Sequence, residues 1–418
     1  MKVLVIGSGG REHAVVREIA ESPLAEKIYA LPGNPGMKEA ELIPGDVMDI
    51  PAVVKKALEK QIDFAVVTPD DPLAAGMVDA LEAAGIRCFG PDKKAAEIES
   101  SKVFSKHLMQ KYHIPTAMYE AFNDLDAALR YVKDHPLPLV IKADGLAKGK
   151  GVVIAETLDQ AEQALREMLV EKCFGASGAR VIVEEFLQGP EVSVLAFTDG
   201  ETVVPFVSAM DHKRALAGDE GPNTGGMGAV APNPFYTKDI ACQAMDEVFL
   251  PTVRAMKQEA RPFKGCLFFG LMLTKDGPKV LEYNARLGDP ETQAVLPLLK
   301  SDLLSAMLAV REGGLQDSHL TFSPGHACCV VLASGGYPGR FPVGFPVEVK
   351  GAPEAQVFYA GVAEKEGRLV TAGGRVMSLT ATADTLQEAV DKAYEAVKLV
   401  HFDGMMARPD IGARALEA

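Results

Sequence analysis

Short apolar runs, each closed by a turn and followed by a helical stretch, occupy residues 1–100 and leave few folds open. Lys2-Val-Leu-Val-Ile-Gly7 ends at Gly7-Ser8-Gly9-Gly10, Lys27–Leu31 runs to Gly33-Asn34-Pro35-Gly36, and Phe64–Thr68 runs to Pro69-Asp70-Asp71-Pro72. Arg87–Gly90 completes the series. Compact apolar strands separated by helices, here from about Arg11 and near 51–60, predict an α/β, doubly wound parallel sheet. Ligands of such sheets bind beyond the carboxyl ends of the strands, where these Gly and Pro turns fall.

A helix from about Asp92 to Lys111 leads into a different texture. Leu139–Gly145 and Gly151–Glu156 read as two strands around a Gly- and Lys-rich turn, followed by a helix (158–169) and a strand (180–187). A larger antiparallel sheet is expected from 191–197, 203–210, 266–274 and 279–286, with helices near 238–259 and 291–312. Short strands and a helix at 385–400 fill the remainder, and Ser323-Pro324-Gly325 marks the last boundary. The expected organisation is a Rossmann-like substrate domain (1–100), an α+β domain (101–323) with a mobile flap at about 122–190, and a small mixed α/β domain (324–418). A chain of 418 residues suits roughly two to four such units.

Composition narrows the function. A net charge of −14 argues against a nucleic-acid surface, whose footprint is basic, but permits a locally basic phosphate pocket. The six cysteines form no CxxC pair and sit mostly in apolar runs, which fits buried thiols in a reducing compartment. No apolar run approaches the roughly 20 residues of a membrane span, and the opening segment does not read as a signal peptide, so a cytoplasmic protein is expected.

Four constellations carry chemistry. Lys142-Ala-Asp-Gly-Leu-Ala-Lys-Gly-Lys-Gly151 suits a flap over phosphates, because glycines let backbone N–H groups approach oxygens while lysines neutralise charge. Alone it reads equally well as an exposed hairpin. Glu184-Glu185-Phe186-Leu187, with Glu191 beyond, suits an adenine edge and a ribose acid, or else a surface acidic pair. In Leu281-Glu-Tyr-Asn-Ala-Arg286, strand alternation puts Glu282, Asn284 and Arg286 on one face and Tyr283 on the other. That face suits Mg²⁺ beside phosphates, and Leu287–Gln293 continues the polar run to a helix N-terminus. Asp211-His-Lys-Arg214 followed by Gly221-Pro-Asn-Thr-Gly-Gly-Met-Gly228 suits an anionic substrate, or a surface loop.

The order of these parts resembles the ATP-grasp superfamily. Within it, GSGGREH (7–13), KADGLAKGKGV (142–152), DHKR (211–214), GPNTGGMGA (221–229), RLGDPETQ (286–293), TAGGRV (371–376) and HFDGMMARPDIG (401–412) closely match the phosphoribosylamine–glycine ligases. The resemblance covers essentially the whole chain. It implies a pre-ATP-grasp domain, an ATP-grasp domain and a C-terminal domain, acting as a monomer on ATP, glycine and 5-phosphoribosylamine with Mg²⁺ or Mn²⁺. It implies that Lys142, Lys150 and either Lys102 or Lys106 neutralise ATP phosphates, that Glu184, Glu185, Phe186 and Leu187 hold adenine, and that Glu191 holds ribose. Glu282 and Asn284 would ligate the metal, with Arg286 and Lys142 at the transferred phosphoryl group. Lys213, Arg214, Asn223, Thr224, Asp289, Pro290 and Glu291 would form the glycine and ribonucleotide site, and Gly9, Gly10 and Arg11 would take the 5-phosphate. Two positions depart from the pattern. Thr68-Pro-Asp-Asp-Pro-Leu73 stands where those enzymes usually read Gly-Pro-Glu-x-Pro-Leu, and Gly270 stands where many ATP-grasp enzymes place a further metal carboxylate.

Rival classes fit less well. A nicotinamide-dependent oxidoreductase would need a third glycine where Glu12 stands and an acid after Lys27–Leu31. A nucleotide-binding module without chemistry has no need of complete lysine, metal-strand and substrate-loop sets. Another purine-pathway ATP-grasp ligase lacks a reason for DHKR and GPNTGGMG.

Overall fold

A computed structural model describes residues 1–146, 151–173, 175–317 and 320–418. At the N-terminus, β1 (Lys2–Gly7), β2 (Lys27–Pro32), β3 (Glu41–Leu42), β4 (Phe64–Val67) and β5 (Arg87–Phe89) form a wholly parallel sheet in the order β3-β2-β1-β4-β5. β1 and β4 are fully buried in their central residues, which is why no polar alternation is needed. The chain leaves β1 in one direction and returns on its other side, so the carboxyl ends of β1 and β4 flank a crevice.

Glu12 organises that crevice. Its carboxylate accepts from Gly9 N at 2.6 Å and Arg11 Nε at 2.7 Å. Thr68 Oγ1 lies 2.7 Å from Glu12 and 2.8 Å from the Ile6 carbonyl, one hydroxyl hydrogen between two acceptors. The residue that spoils a dinucleotide fingerprint is therefore the one that caps the helix Gly10–Ala20, and Thr68 is part of the same knot. Pro69-Asp70-Asp71-Pro72, expected as a turn, begins the helix Asp70–Ala75; proline is tolerated in a first turn, where no donor is required.

The expected helix from Asp92 to Lys111 is broken into Lys93–Ser100 and Lys102–Lys111. Ser101 accepts from Phe104 N and donates to Asp144 Oδ1 at 3.1 Å, so a cap replaces a continuous turn. The flap follows as β6 (Tyr119–Phe122), β7 (Leu139–Ala143), β8 (Val152–Ala155) and β9 (Val181–Glu185), antiparallel in the order β6-β9-β7-β8. The amphipathic helices Leu125–Lys133 and Leu158–Leu169 bury Ala128, Val132, Ala161 and Leu165 against it.

The larger antiparallel sheet takes β10 (Glu191–Thr198), β11 (Val203–Pro205) and, after a long loop, two long strands. That loop holds β12 (Met210–Asp211), β13 (Arg214–Leu216), β14 (Glu220–Asn223) and β15 (Gly228–Ala231); the long strands are β16 (Gly265–Thr274) and β17 (Gly277–Asn284). The order is β11-β10-β16-β17. β12 and β15 instead join the sheet of the last segment, pairing through β15 with His326–Ser334. Met210–Asp211 and Gly228–Ala231 thus belong by pairing to the C-terminal sheet, although they precede the Ser323–Gly325 boundary in sequence, while β13 and β14 between them pair only with each other. The expected helix 291–312 is divided into Glu291–Val295 and Leu303–Glu312, because Leu299 bridges to Phe322 and Asp302 opens a new cap.

Two buried histidines join the ends of the chain to its centre. His13 Nδ1 accepts from Tyr359 N at 2.9 Å, and His212 Nε2 accepts from Gly412 N at 3.2 Å. Burial pushes both from 6.5 down to about 4. Above pH 6.5 the folded and unfolded rings are both neutral; between 6.5 and about 4 only the unfolded chain takes up the proton. Each histidine is therefore expected to cost about 1.4 kcal/mol of stability per pH unit in that window, levelling off below it. Urea titrations at pH 7.5 and 5.5 check this, and a His212→Gln variant should show the shallower dependence.

Candidate active site

A cleft of about 1290 Å³ runs between the flap, β17 and the 210–231 segment. At one end it is apolar. Ala117, Leu187 and Met272 cluster with Leu281, and Val140 and Ile154 of the flap line the same space. Beneath this slot Glu184, 2% exposed, lies 3.0 Å from Lys142 Nζ and 3.3 Å from Lys106 Nζ. Burial alone would raise the Glu184 carboxyl, but the two lysines outweigh it and hold it below the usual range. Its Oε1 is buried without a hydrogen-bond partner among the described residues. Burial draws Lys106 down to about 8 against the pull of Glu184. Glu185 accepts from Met118 N at 2.9 Å, tying β9 to the approach to β6.

Toward the middle, Lys142 Nζ also donates to the Leu281 carbonyl at 3.1 Å, so the flap strand touches β17 directly. Lys102 Nζ donates to Gly145 O at 2.9 Å, at the mouth of the flap turn. Both Lys102 and Lys106 thus reach the cleft, one beside the flap turn and one beneath the apolar slot. Lys150 lies outside the described residues. Tyr283 is 4% exposed and bonded to Thr252, while Glu282 and Asn284 are half-buried and line the cleft, which is the expected alternation. A bulge at Leu281 interrupts it locally, since Gly270 pairs with Glu282 and Leu271 with Val280. Gly270 faces Glu282 so closely that a Cβ there would sit 3.0 Å from Glu282 Cγ. The neighbouring strand therefore gives room to Glu282 rather than a second carboxylate. Glu282 and Asn284 offer only oxygen donors and leave other positions to phosphates and water, a donor set that fits Mg²⁺. Asn284 Oδ1 accepts from Arg286 Nη2 at 3.3 Å.

At the far end, Lys213 Nζ lies 2.8 Å from Glu191 and 3.9 Å from Glu282, linking the 210–231 segment, β10 and β17. Arg214 donates to Gly221 O at 2.8 Å and Thr224 to Lys213 O at 2.8 Å, closing the loop on itself. Asn223, Asp289 and Glu291 line the cleft, as does Arg11, whose Nη1 donates to Leu287 O at 2.9 Å. Gly9, Gly10 and Pro290 stand behind this wall. Added Cβ atoms at Gly9 and Gly10 would lie 3.6 Å from Asp289 Oδ2 and 2.6 Å from Gln293 Nε2, while Pro290 packs on Gly226.

Several residues here carry no signal of their own in the sequence. Glu99, 8% exposed, pairs with Arg286 at 3.1 Å and accepts from Ala285 N at 2.7 Å. Arg375 pairs with Asp289 at 2.9 Å and donates to Gly225 O at 2.6 Å. Its only sequence clue is membership of the TAGGRV run. Asp144, bonded to Ser101, Val103 N and Arg180, anchors the flap to the helix of Lys102.

Comparison with known proteins agrees with this geometry. Phosphoribosylglycinamide synthetase models match in three consecutive pieces: the N domain at residues 1–99, the ATP-grasp (A) domain at 100–292 and the C domain at 327–414. A phosphoribosylamine–glycine ligase of Caldanaerobacter subterraneus subsp. tengcongensis is 47% identical over 99% of this chain and 100% of its own. The crystal structure of the phosphoribosylamine–glycine ligase of Thermotoga maritima matches with a TM-score of 0.88 at 35% identity, over 98% of this chain and 100% of that one. The biotin carboxylase domain of the Hydrogenobacter thermophilus 2-oxoglutarate carboxylase, in a complex with MgADP, ADP and bicarbonate, matches with a TM-score of 0.76 at 19% identity, over 97% and 91% of the two chains. That likeness is one of fold. Matched in order from end to end, and nearly half identical to a full-length relative, this chain belongs to the phosphoribosylglycinamide synthetase family.

Proposed function

We propose that the protein joins glycine to 5-phosphoribosylamine at the expense of ATP, giving glycinamide ribonucleotide, ADP and phosphate, the second step of purine synthesis. The observation that carries the proposal is the Lys142 bridge, 3.0 Å from Glu184 and 3.1 Å from Leu281 O, between an apolar slot and the Glu282/Asn284 face. A nucleotide lying with its base in the slot would bring its phosphates past Lys142 toward that face. Glu184 and the Glu185–Leu187 segment hold adenine, Glu191 and Lys213 the ribose side, and Lys102, Lys106, Lys142 and Lys150 the phosphates. Glu282 and Asn284 hold Mg²⁺, which neutralises charge on the transferring phosphoryl group.

A glycine carboxylate oxygen attacks the γ-phosphorus, the bond to the β–γ bridging oxygen breaks, and ADP departs. Arg286 steadies the charge on the transferred group. The amine of phosphoribosylamine then attacks the acyl carbon; the C–O bond to phosphate breaks, and the proton lost by nitrogen leaves on phosphate. Positioning and charge neutralisation are the demands of both steps, and no nucleophilic side chain is needed. Arg11, which lines the cleft at the crevice of the parallel sheet, takes the 5-phosphate, with Gly9 and Gly10 forming the helix N-terminus behind it. Arg214, Asn223, Thr224, Asp289, Pro290 and Glu291 frame the two acceptor substrates, and flap closure protects the acyl phosphate from water. A monomer working in the cytoplasm completes the reading; among the described residues no helix is long and apolar enough to cross a membrane.

A coupled ADP assay with phosphoribosylamine generated in situ tests this. ADP release should require glycine and the ribosylamine together with Mg²⁺. Release that ignores either acceptor would refute the proposal.

A further inference from the structure

The helix Lys102–Lys111 takes most of its N-terminal cap from another part of the chain. Of its first three backbone N–H groups, Phe104 N finds Ser101 Oγ at 3.1 Å within the same segment. The other two cross to the flap: Lys102 N donates to the Asp144 carbonyl at 3.0 Å and Val103 N to Asp144 Oδ1 at 2.8 Å. Ser101 Oγ donates to the same Oδ1 at 3.1 Å. A helix start leaves its donors unpaired and carries a partial positive charge, so a carboxylate placed there is favoured on both counts.

Asp144 is buried and is held in turn from the flap side. Arg180, immediately before β9, donates to Oδ2 from Nε at 3.0 Å and from Nη2 at 2.7 Å, and its carbonyl accepts from Asp144 N at 3.1 Å. The next carbonyl along, Gly145 O, receives Lys102 Nζ at 2.9 Å. Two adjacent flap residues therefore grip Lys102 at both its backbone and its ammonium. A neutral carbonyl leaves the charge of that ammonium available to an anion, and Lys102 lines the cleft together with Lys142 and Glu282. Burial draws Lys102 below the usual lysine range, and the charge of Glu282 is the strongest pull the other way.

We infer that Asp144 is a positioning residue for the nucleotide phosphates: by capping the Lys102 helix from the flap, it fixes the Lys102 ammonium at the phosphate end of the cleft. The inference rests on the ligase reading above. A lysine is a compact charge on a flexible four-carbon stem, and unrestrained it offers that charge in many rotamers. Pinning the backbone at Lys102 and Val103, and giving Nζ one carbonyl, removes much of that freedom before ATP arrives, which is preorganisation. Because the cap lies on the flap and the lysine on the helix, one contact also joins two walls of the cleft. Asp144 acts through Lys102.

The test uses the full chain, in the coupled ADP assay and in calorimetry with Mg²⁺ and AMP-PNP, a non-hydrolysable ATP analogue. In Asp144→Ala the ATP KM and the AMP-PNP Kd should rise about 10- to 30-fold, while the glycine KM stays within about threefold of wild type. Asp144→Asn, which keeps an oxygen for Val103 N, should stay within about threefold on every constant. In a Lys102→Met background, adding Asp144→Ala should cost less than about threefold, since the group it positions is already gone. The inference is overturned by an unchanged ATP KM in an Asp144→Ala variant that melts normally, by ATP and glycine KM values rising together, or by an asparagine variant as poor as alanine. It is overturned equally if Asp144→Ala costs as much without Lys102 as with it. Should Asp144→Ala not fold, Ser101→Ala loosens the same cap from the helix side. Its ATP KM should rise about three- to tenfold, and an unchanged value overturns the inference. Wild-type protein that binds no AMP-PNP, or that releases ADP without either acceptor, would instead strike at the ligase reading itself.

Discussion

Replacing Glu282 with alanine is expected to lower ligation at least about 10³-fold while leaving the protein folded, because a metal clamp on a transferring phosphoryl group contributes several kcal/mol. Glu282 projects into the cleft with its side chain 39% exposed, and among the described residues its one ion-pair contact is Lys213 at 3.9 Å. Lys213 keeps Glu191 at 2.8 Å when that contact is lost, and among the described residues no buried group loses its partner. Melting temperature should therefore stay near the wild-type value while ADP release collapses, and raising Mg²⁺ should recover only part of it. Near-normal turnover in this variant would remove Glu282 from the metal site and, with it, the phosphate end of the proposed ATP pose.

Arg286→Met is expected to damage both fold and chemistry, and the two losses can be separated. The guanidinium is held by Glu99 at 3.1 Å, Asn284 Oδ1 at 3.3 Å and Leu287 O at 3.3 Å. Removing it leaves Glu99, 8% exposed, with the Ala285 N–H as its one hydrogen-bond donor among the described residues and the Arg11 charge at longer range. An uncompensated buried carboxylate costs about 3–5 kcal/mol. Burial already raises the Glu99 carboxyl and Arg286 opposes that rise, so in the variant it rises further. The penalty belongs to the ionised form, present above the folded-state value and relieved as pH falls through it. The melting gap to wild type should consequently be smaller at pH 5.5 than at pH 8. The double variant Glu99→Gln/Arg286→Met should regain most of the stability yet remain about 10³-fold slow, since the charge at the transferred phosphoryl group is still missing. A double variant that regained its rate would assign Arg286 a structural role alone.

Much of the site was legible because its parts are local. Alternation along residues 281–286 separates Glu282 and Asn284 from Tyr283 without any knowledge of the rest of the chain, and the hairpin at 139–156 announces itself by two apolar strands around glycines and lysines. The parallel sheet at the N-terminus follows from uniformly apolar strands, which need cover on both faces.

What the sequence by itself determined was the set of elements and the residue types they present, since strand period, glycine conformers and apolar runs are decided within a few neighbouring residues. Only the tertiary structure decided the pairings between them. Arg11 reaches the carbonyl of Leu287, Glu99 claims Arg286, and Arg375 crosses 86 positions to the Asp289 carbonyl. It also moved β12 and β15 into the C-terminal sheet, broke the helix at Ser101 and left Asp211 Oδ1 without a hydrogen-bond partner among the described residues. Such contacts depend on how distant segments close and pack, and on which cation each buried carboxylate wins in competition with the others, so no short stretch of chain encodes them.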